Sequence, residues 1–453
     1  DRHLNALLIP TDGAVRIAGQ DTRNTANHPD VRQTVGMVFQ RPENQIIASL
    51  VEEDVAFGLE NMALPTAAIR ERVEDALESV GMWQARHRPP RMLSAGQMQR
   101  VALAGVLAMR PRCIIFDEAT AMLDPLGREH VRAMMRTLHR QGTTIITITH
   151  RMEEAVDADR IVAMREGRVA LDGTPKEIFH HPTDLEALGL DLPPIAKLAR
   201  TLHQHHPTFP AECLTLEEIL DALGRFNPVE RPDLAHERPE DAPPTSSSPL
   251  IEVEALSHIY MKDTPFAQPS LKDVTLTIEE GHRYGLLGPT GAGKSTLLRH
   301  LNGLLRPQTG RVRVGGDDLS DPETDLQSIR SRIGLVFQLP EAQIFEQYVG
   351  DEIAYGPRLQ GLKEDALRSR VRWAMDQVGL DFDADKDRYT FSLSGGQKRK
   401  VALASILALR PDALLLDEPT AGLDPRSSRD LHRNLRDLNA GGMTLVLSSH
   451  RME

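Results

Sequence analysis

Cysteine is nearly absent from this chain: Cys113 and Cys213 are the only two in 453 residues. Two cannot build a disulfide framework or a four-cysteine zinc site, and free thiols fit a reducing cytosol. Aromatic residues make up only 4%. Apolar runs are short; Val101–Met109 has nine residues, where a bilayer-crossing helix takes about 18–20. No signal-peptide pattern opens the sequence, and its first residue is Asp rather than Met. Base is not in excess either, since 53 Lys and Arg face 65 Asp and Glu, a net charge of −12. That balance argues against sequence-blind nucleic-acid binding, which needs a basic footprint, so no nucleic acid is expected as partner. What remains is an ordinary folded-protein composition, 40% apolar, in a length that suits about two or three domains.

The dominant feature is an internal repeat. VALAGVLAMRP at Val101–Pro111 returns as VALASILALRP at Val401–Pro411, with eight of eleven positions identical. The match spreads at a nearly constant offset: Asn5 pairs with Asn302, Gln40 with Gln338, and Ser94, Asp117 and His150 with Ser394, Asp417 and His450. A repeat this long means two copies of one fold. The copies are cut differently. The first has no counterpart of residues 250–297, and the second has no counterpart of the residues after Glu153. We therefore expect a window of a longer tandem protein, with a first domain at 1–189 and a second at 250–453. Between them, 190–249 reads as an extension and a linker. Pro228–Pro249 holds six prolines in 22 residues, a composition that resists helix and buries little. Ahead of it, Thr215–Phe226 predicts a short amphipathic helix with a Thr cap.

The second copy carries a phosphate-binding pattern. A short strand candidate, Arg283–Leu287, runs into GPTGAGKS at Gly288–Ser295, and a helical pattern comes next. Strand, glycine loop and helix form the context that such a loop requires. The glycines let backbone N–H groups converge on phosphate, and the helix N-terminus adds positive potential. Lys294 is placed to reach the β- and γ-phosphates and Ser295 to ligate Mg²⁺. Later, ALLLDE at Ala413–Glu418 reads as a buried parallel strand with carboxylates at its C-terminal tip. Asp417 suits Mg²⁺, and Glu418 suits polarising a water. The first copy repeats this as CIIFDE, Cys113–Glu118.

With these motifs in place the sequence resembles the ABC ATPase family. The signature LSGGQ stands at Leu393–Gln397 and LSAGQ at Leu93–Gln97. DEPTAGLD and DEATAMLD begin at Asp417 and Asp117, GLVFQ and GMVFQ end at Gln338 and Gln40, and His450 and His150 come after apolar strands. The resemblance implies an α/β fold: two P-loop ABC-type nucleotide-binding domains, each with a mixed, mainly parallel sheet core, a helical signature subdomain and an antiparallel β subdomain. It implies an ATPase using ATP and Mg²⁺. One head-to-tail site would use Gly288, Pro289, Thr290, Gly291, Ala292, Gly293, Lys294, Ser295, Thr296, Gln338, Asp417, Glu418 and His450. To these Ser94, Gly96 and Gln97 are added from the first copy, with Tyr260 stacked on adenine. The other site would use Gln40, Asp117, Glu118 and His150 with Ser394, Gly396 and Gln397. Mg²⁺ would be held by Ser295, Gln338 and Asp417, and by Gln40 and Asp117 in the other site.

The pattern Gln-x-Pro-Glu-x-Gln, at Gln40–Gln45 and Gln338–Gln343, narrows the likeness to the ATPases of energy-coupling factor importers of vitamins or cobalt and nickel. That implies a transmembrane coupling protein and a substrate-binding membrane subunit as partners, the coupling contact falling just after the Gln loop. It also implies a peripheral position on the cytoplasmic face of the membrane. A soluble ribosome-associated tandem ABC protein is the alternative, although such proteins read DEPTNHLD where this chain has DEPTAGLD. Two departures predict unequal sites: Ala95 stands where the second copy has Gly395, and Ala119 and Met122 where it has Pro419 and Gly422. The histidines His180, His181, His203, His205 and His206 lie beside prolines and are expected in solvated linker, not in a metal site.

Overall fold

The computed structural model describes residues 2–120, 123, 125–225, 249–264 and 267–449. The chain divides into two units, Asp1–Asn227 and Pro228–Glu453. In the second unit the apolar run before the two carboxylates is the strand Ala413–Asp417, every residue of it buried. It lies between the strands Ile333–Val336 and Thr444–Ser449, and Arg283–Leu287 completes a four-stranded parallel sheet beyond Thr444–Ser449. The strand is apolar up to its tip because both its faces are covered. Leu414 and Leu416 join a core with the helices Val349–Leu359, Glu364–Gln377 and Gly395–Leu407. Ala413 and Leu415 face the opposite core, shared with the helix Lys294–Leu301 and a second, antiparallel sheet. That sheet orders Asp317–Asp318, Thr309–Val314, Pro249–Tyr260 and Gln268–Glu279. Helical, parallel-sheet and antiparallel-sheet parts thus surround one strand whose tip carries the acids.

The first unit repeats the parallel core in the same register. Val35 and Thr144 both pair with Cys113, as Ile333 and Thr444 both pair with Ala413. Its helical part is Val51–Asn61, Thr66–Ser79 and Ala95–Ala108. A glycine fixes how closely helix and sheet approach in each unit. A Cβ on Gly334 would stand 2.3 Å from Ile406 Cγ2, and one on Gly36 2.5 Å from Val106 Cγ1. Both distances lie inside van der Waals contact, so the helix that starts at the signature seats directly on the strand leading to the Gln loop.

The first unit continues through the hairpin Ile161–Arg165 and Arg168–Gly173 into four helices, Pro175–His180, Pro182–Ala187, Pro194–His205 and Leu216–Arg225. Ala199, Phe209, Cys213 and Ile219 form a small core there. The histidine expectation needs correcting: His180, His203 and His205 sit on helices, and His203 Nδ1 lies 2.7 Å from the Phe209 carbonyl oxygen. The prolines mislead because Pro175, Pro182 and Pro194 occupy first helical positions, where the missing N–H costs nothing. Among the described residues no group of three or more His, Cys, Asp and Glu could hold a metal ion. No described helix is long and apolar enough to cross a membrane. The Pro-rich linker, Pro249 aside, lies outside the described residues.

Candidate functional site

The glycine loop leaves the strand Arg283–Leu287 and ends where the helix begins at Lys294. Gly293, the N-cap, has φ +92° and Gly291 has φ +84°, conformations that a side chain disfavours. Gly293 is also sterically fixed, because a Cβ there would stand 2.5 Å from the Ser270 carbonyl oxygen. Pro289, Thr290, Gly291 and Ala292 lie at the surface, and Ser295 is half-buried beside them. Lys294 Nζ donates to the carbonyls of Gly288 at 2.8 Å and Pro289 at 3.1 Å and lies 3.7 Å from Glu418 Oε1.

Thr296 is buried, with its hydroxyl 2.8 Å from Ser270 Oγ and 3.2 Å from Tyr260 Oη. Tyr260 therefore ties the antiparallel sheet to the helix after the loop, its ring edge-on to His258 at 4.6 Å. His258 in turn contacts the fully buried His300, whose pKa burial and then the His258 charge push down to about 4. Tyr260→Phe keeps the ring and deletes the hydroxyl. It is expected to lower the stability of the nucleotide-free protein by about 0.5–1.5 kcal/mol, read by urea unfolding. An unchanged midpoint would mean that the hydroxyl ties nothing down.

The acids stand at the tip of Ala413–Asp417. Ser448 Oγ donates a hydrogen bond to Asp417 Oδ1 at 2.6 Å and accepts one from the Glu418 N–H at 2.9 Å. Ser448 escapes notice in the sequence. Its only signal is a polar residue in the apolar strand TLVLSS, placed opposite Asp417 by parallel register. Glu418 has φ +46° and Glu118 φ +47°, a left-handed backbone that costs a side-chain-bearing residue about 1–2 kcal/mol. The same left-handed backbone recurs at the same carboxylate in both units, as it does at Arg110 and Arg410. Gln338 Nε2 donates to Glu418 Oε2 at 3.0 Å, and Gln40 Nε2 to Glu118 Oε2 at 2.8 Å. His150 Nδ1 lies 3.3 Å from Glu118 Oε1. Burial, and then the Glu118 charge beside it, push the Asp117 carboxyl above its ordinary range.

The structure thus gathers Lys294, Gln338, Asp417 and Glu418 in the second unit and Gln40, Asp117, Glu118 and His150 in the first. His450 and Met122 lie outside the described residues. The signature serines Ser94 and Ser394 cap their helices, each in a capping box closed by Gln97 or Gln397. Those two glutamines face back onto their own caps. Gly96 and Gly396 lie in the first turns of these helices, near Leu123 and Ser427. A Cβ on Gly395, the position of Ala95 in the first unit, would meet nothing within 4 Å.

The motif after each Gln loop is a brace. Gln343 Oε1 accepts from the Phe337 N–H and its Nε2 donates to the Ala402 carbonyl; Gln45 does the same with Phe39 and Ala102. A carboxylate then fixes the next turn: Glu352 accepts from the N–H groups of Phe345 and Glu346, and Asp54 from those of Ile47 and Ala48.

Comparison with known proteins bears on the identity of this doubled constellation. Residues 2–121 and 271–421 match the family described as ABC transporter. The chain belongs to the ABC transporter family. Both halves are ABC ATPase domains, in tandem. Over 478 residues and all of its length the chain is 34% identical to a Bifidobacterium longum protein provisionally named an ABC transporter ATP-binding protein, and it spans 57% of that relative. About half of the chain is 56% identical, over 223 residues, to an energy-coupling factor transporter ATP-binding protein of Symbiobacterium thermophilum, covering 78% of it. The same-named protein of Caldanaerobacter subterraneus is 51% identical over 225 residues, 49% of this chain and 81% of that protein.

Proposed function

We propose that this chain is the ATP-hydrolysing subunit of an energy-coupling factor type importer of a vitamin or a transition-metal ion, working at the cytoplasmic face of the membrane. The observation that carries the reading is a repeated apolar patch beyond the Gln loop. Phe345 and Tyr355 are 57% and 41% exposed, with their rings edge-on at 4.7 Å. The positions matching them in the first unit, Ile47 and Phe57, are 65% and 47% exposed. Large apolar side chains left in water at matching positions, on a turn fixed by Glu352 or Asp54 and on the helix after it, suit a docked apolar helix. A transmembrane coupling protein, joined to a substrate-binding membrane subunit, would supply it.

In this reading Gly288–Thr296 cradle the triphosphate, and Lys294 neutralises charge on the β- and γ-phosphates. Ser295, Gln338 and Asp417 all offer oxygen, the donor that Mg²⁺ prefers. Bound there, the ion would offset phosphate charge. Glu418 orients the attacking water, with Gln338 holding its other oxygen, and His450 senses the γ-phosphate. The signature residues Ser94, Gly96 and Gln97 close the site from the first unit. Ser394, Gly396 and Gln397 close the other over Gln40, Asp117, Glu118 and His150. Closure on ATP and release after hydrolysis are the two states that drive the membrane partner.

The test is co-purification from detergent-solubilised membranes with Phe345→Asp and Ile47→Asp combined. Loss of membrane proteins with ATP binding intact is expected. Retention of the membrane partners, or wild-type recovery with ribosomes instead, would overturn the reading.

A further inference from the structure

The helix Gly395–Leu407 carries a buried arginine that no motif assigns. Arg399 is 6% exposed, and its guanidinium points back under the site. Nη1 donates to the carbonyls of Pro419 at 2.9 Å and Glu418 at 3.3 Å. Nη2 donates to those of Gln338 at 2.8 Å and Ala421 at 3.1 Å. One rigid, permanently charged plane therefore ties two separate segments, the Gln loop and the turn after the acid strand. These segments hold the Gln338 amide and the Glu418 carboxylate, which meet at 3.0 Å. The turn that Arg399 holds begins at Glu418, whose left-handed backbone needs outside support to persist.

The first unit has Gln99 at the matching position, 2% exposed, and its Nε2 donates to the Phe39 carbonyl at 3.2 Å. A glutamine amide offers two N–H donors against the five of a guanidinium and is shorter. It can hold the Gln-loop side but cannot supply four carbonyls across two segments.

We propose that Arg399 is a positioning residue for Glu418: it locks the Gln loop and the strained turn into one piece, so that the carboxylate is held in the pose that orients water. Gln99 gives the first unit's Glu118 a weaker hold, so the two sites differ in turnover for a reason outside their signature motifs. The proposal rests on the reading of Glu418 as the water-orienting group.

Arg399→Gln, Arg399→Lys and Glu418→Gln in the tandem protein with its membrane partners test it. Arg399→Gln is expected to lower kcat for ATP roughly 10–100-fold, the scale of a displaced reacting group, while KM for ATP and the ATP-induced thermal shift stay within about twofold. Arg399→Lys keeps the charge but not the fork, and is expected to recover only part of the loss. It also serves as the readout should the glutamine variant fail to fold. Unchanged kcat in both variants, with turnover abolished by Glu418→Gln, would overturn the positioning role. So would a parallel loss of kcat, ATP affinity and thermal stability. Wild-type turnover in Glu418→Gln would instead overturn the reading of the site.

Discussion

Glu418→Gln is expected to lower ATP turnover by roughly 10²–10⁴-fold, the range for a lost acid–base group, and Glu118→Gln to lower it much less. Glutamine has nearly the same shape, so Gln338 keeps a partner and the fold is unaffected; what disappears is the negative charge that, in the proposed function, orients and deprotonates water. The inequality arises from surroundings that differ. The turn that begins at Glu418 is pinned by Arg399, while a shorter glutamine, Gln99, stands behind the Gln loop that meets Glu118. Phosphate release by the full-length protein decides the matter, and equal losses would refute the asymmetry.

Gly293→Ala is expected to destabilise the second unit by about 2–4 kcal/mol, combining left-handed strain with overpacking. Gly291→Ala supplies the control. Both glycines have positive φ, yet a Cβ on Gly291 would meet nothing within 4 Å, while one on Gly293 would press into the Ser270 carbonyl. Strain alone, about 1–2 kcal/mol, is the expectation for Gly291→Ala. Chemical unfolding with a probe in the second unit separates the two. Equal shifts would show that the approach of the Gln268–Glu279 strand to the loop is not a constraint.

The parts of the fold legible in the sequence are those written into contiguous residues. The glycine loop is legible because positive φ and close approach leave glycine little competition. The acid strand is legible because burial on two faces leaves an unbroken apolar run. The capping boxes at Ser94 and Ser394 need only four residues each. Ser448 and Arg399 depend instead on strand register and helix seating, which bring together groups 30 and 61 residues apart in the chain. A serine in an apolar strand and an arginine in a helix look ordinary until the partner is in place. The position of Tyr260 in the sequence suggests a face for adenine, and the structure adds a partner for its hydroxyl in Thr296, which only the folded chain brings near.

The interlocking at glycine has a mechanical consequence. Gly334 receives Ile406, and Gly356 receives Leu409, where an added Cβ would stand 2.6 Å from Leu409 Cδ2. The strand into the Gln loop, the helix bearing Tyr355 and the helix starting at the signature are thereby keyed together like cogs with no backlash. If a coupling helix docks at Phe345 and Tyr355 as proposed, a load there would find little room for slippage between these elements. It would turn them as one block, with the N-terminal end of the signature helix as the far arm of a lever.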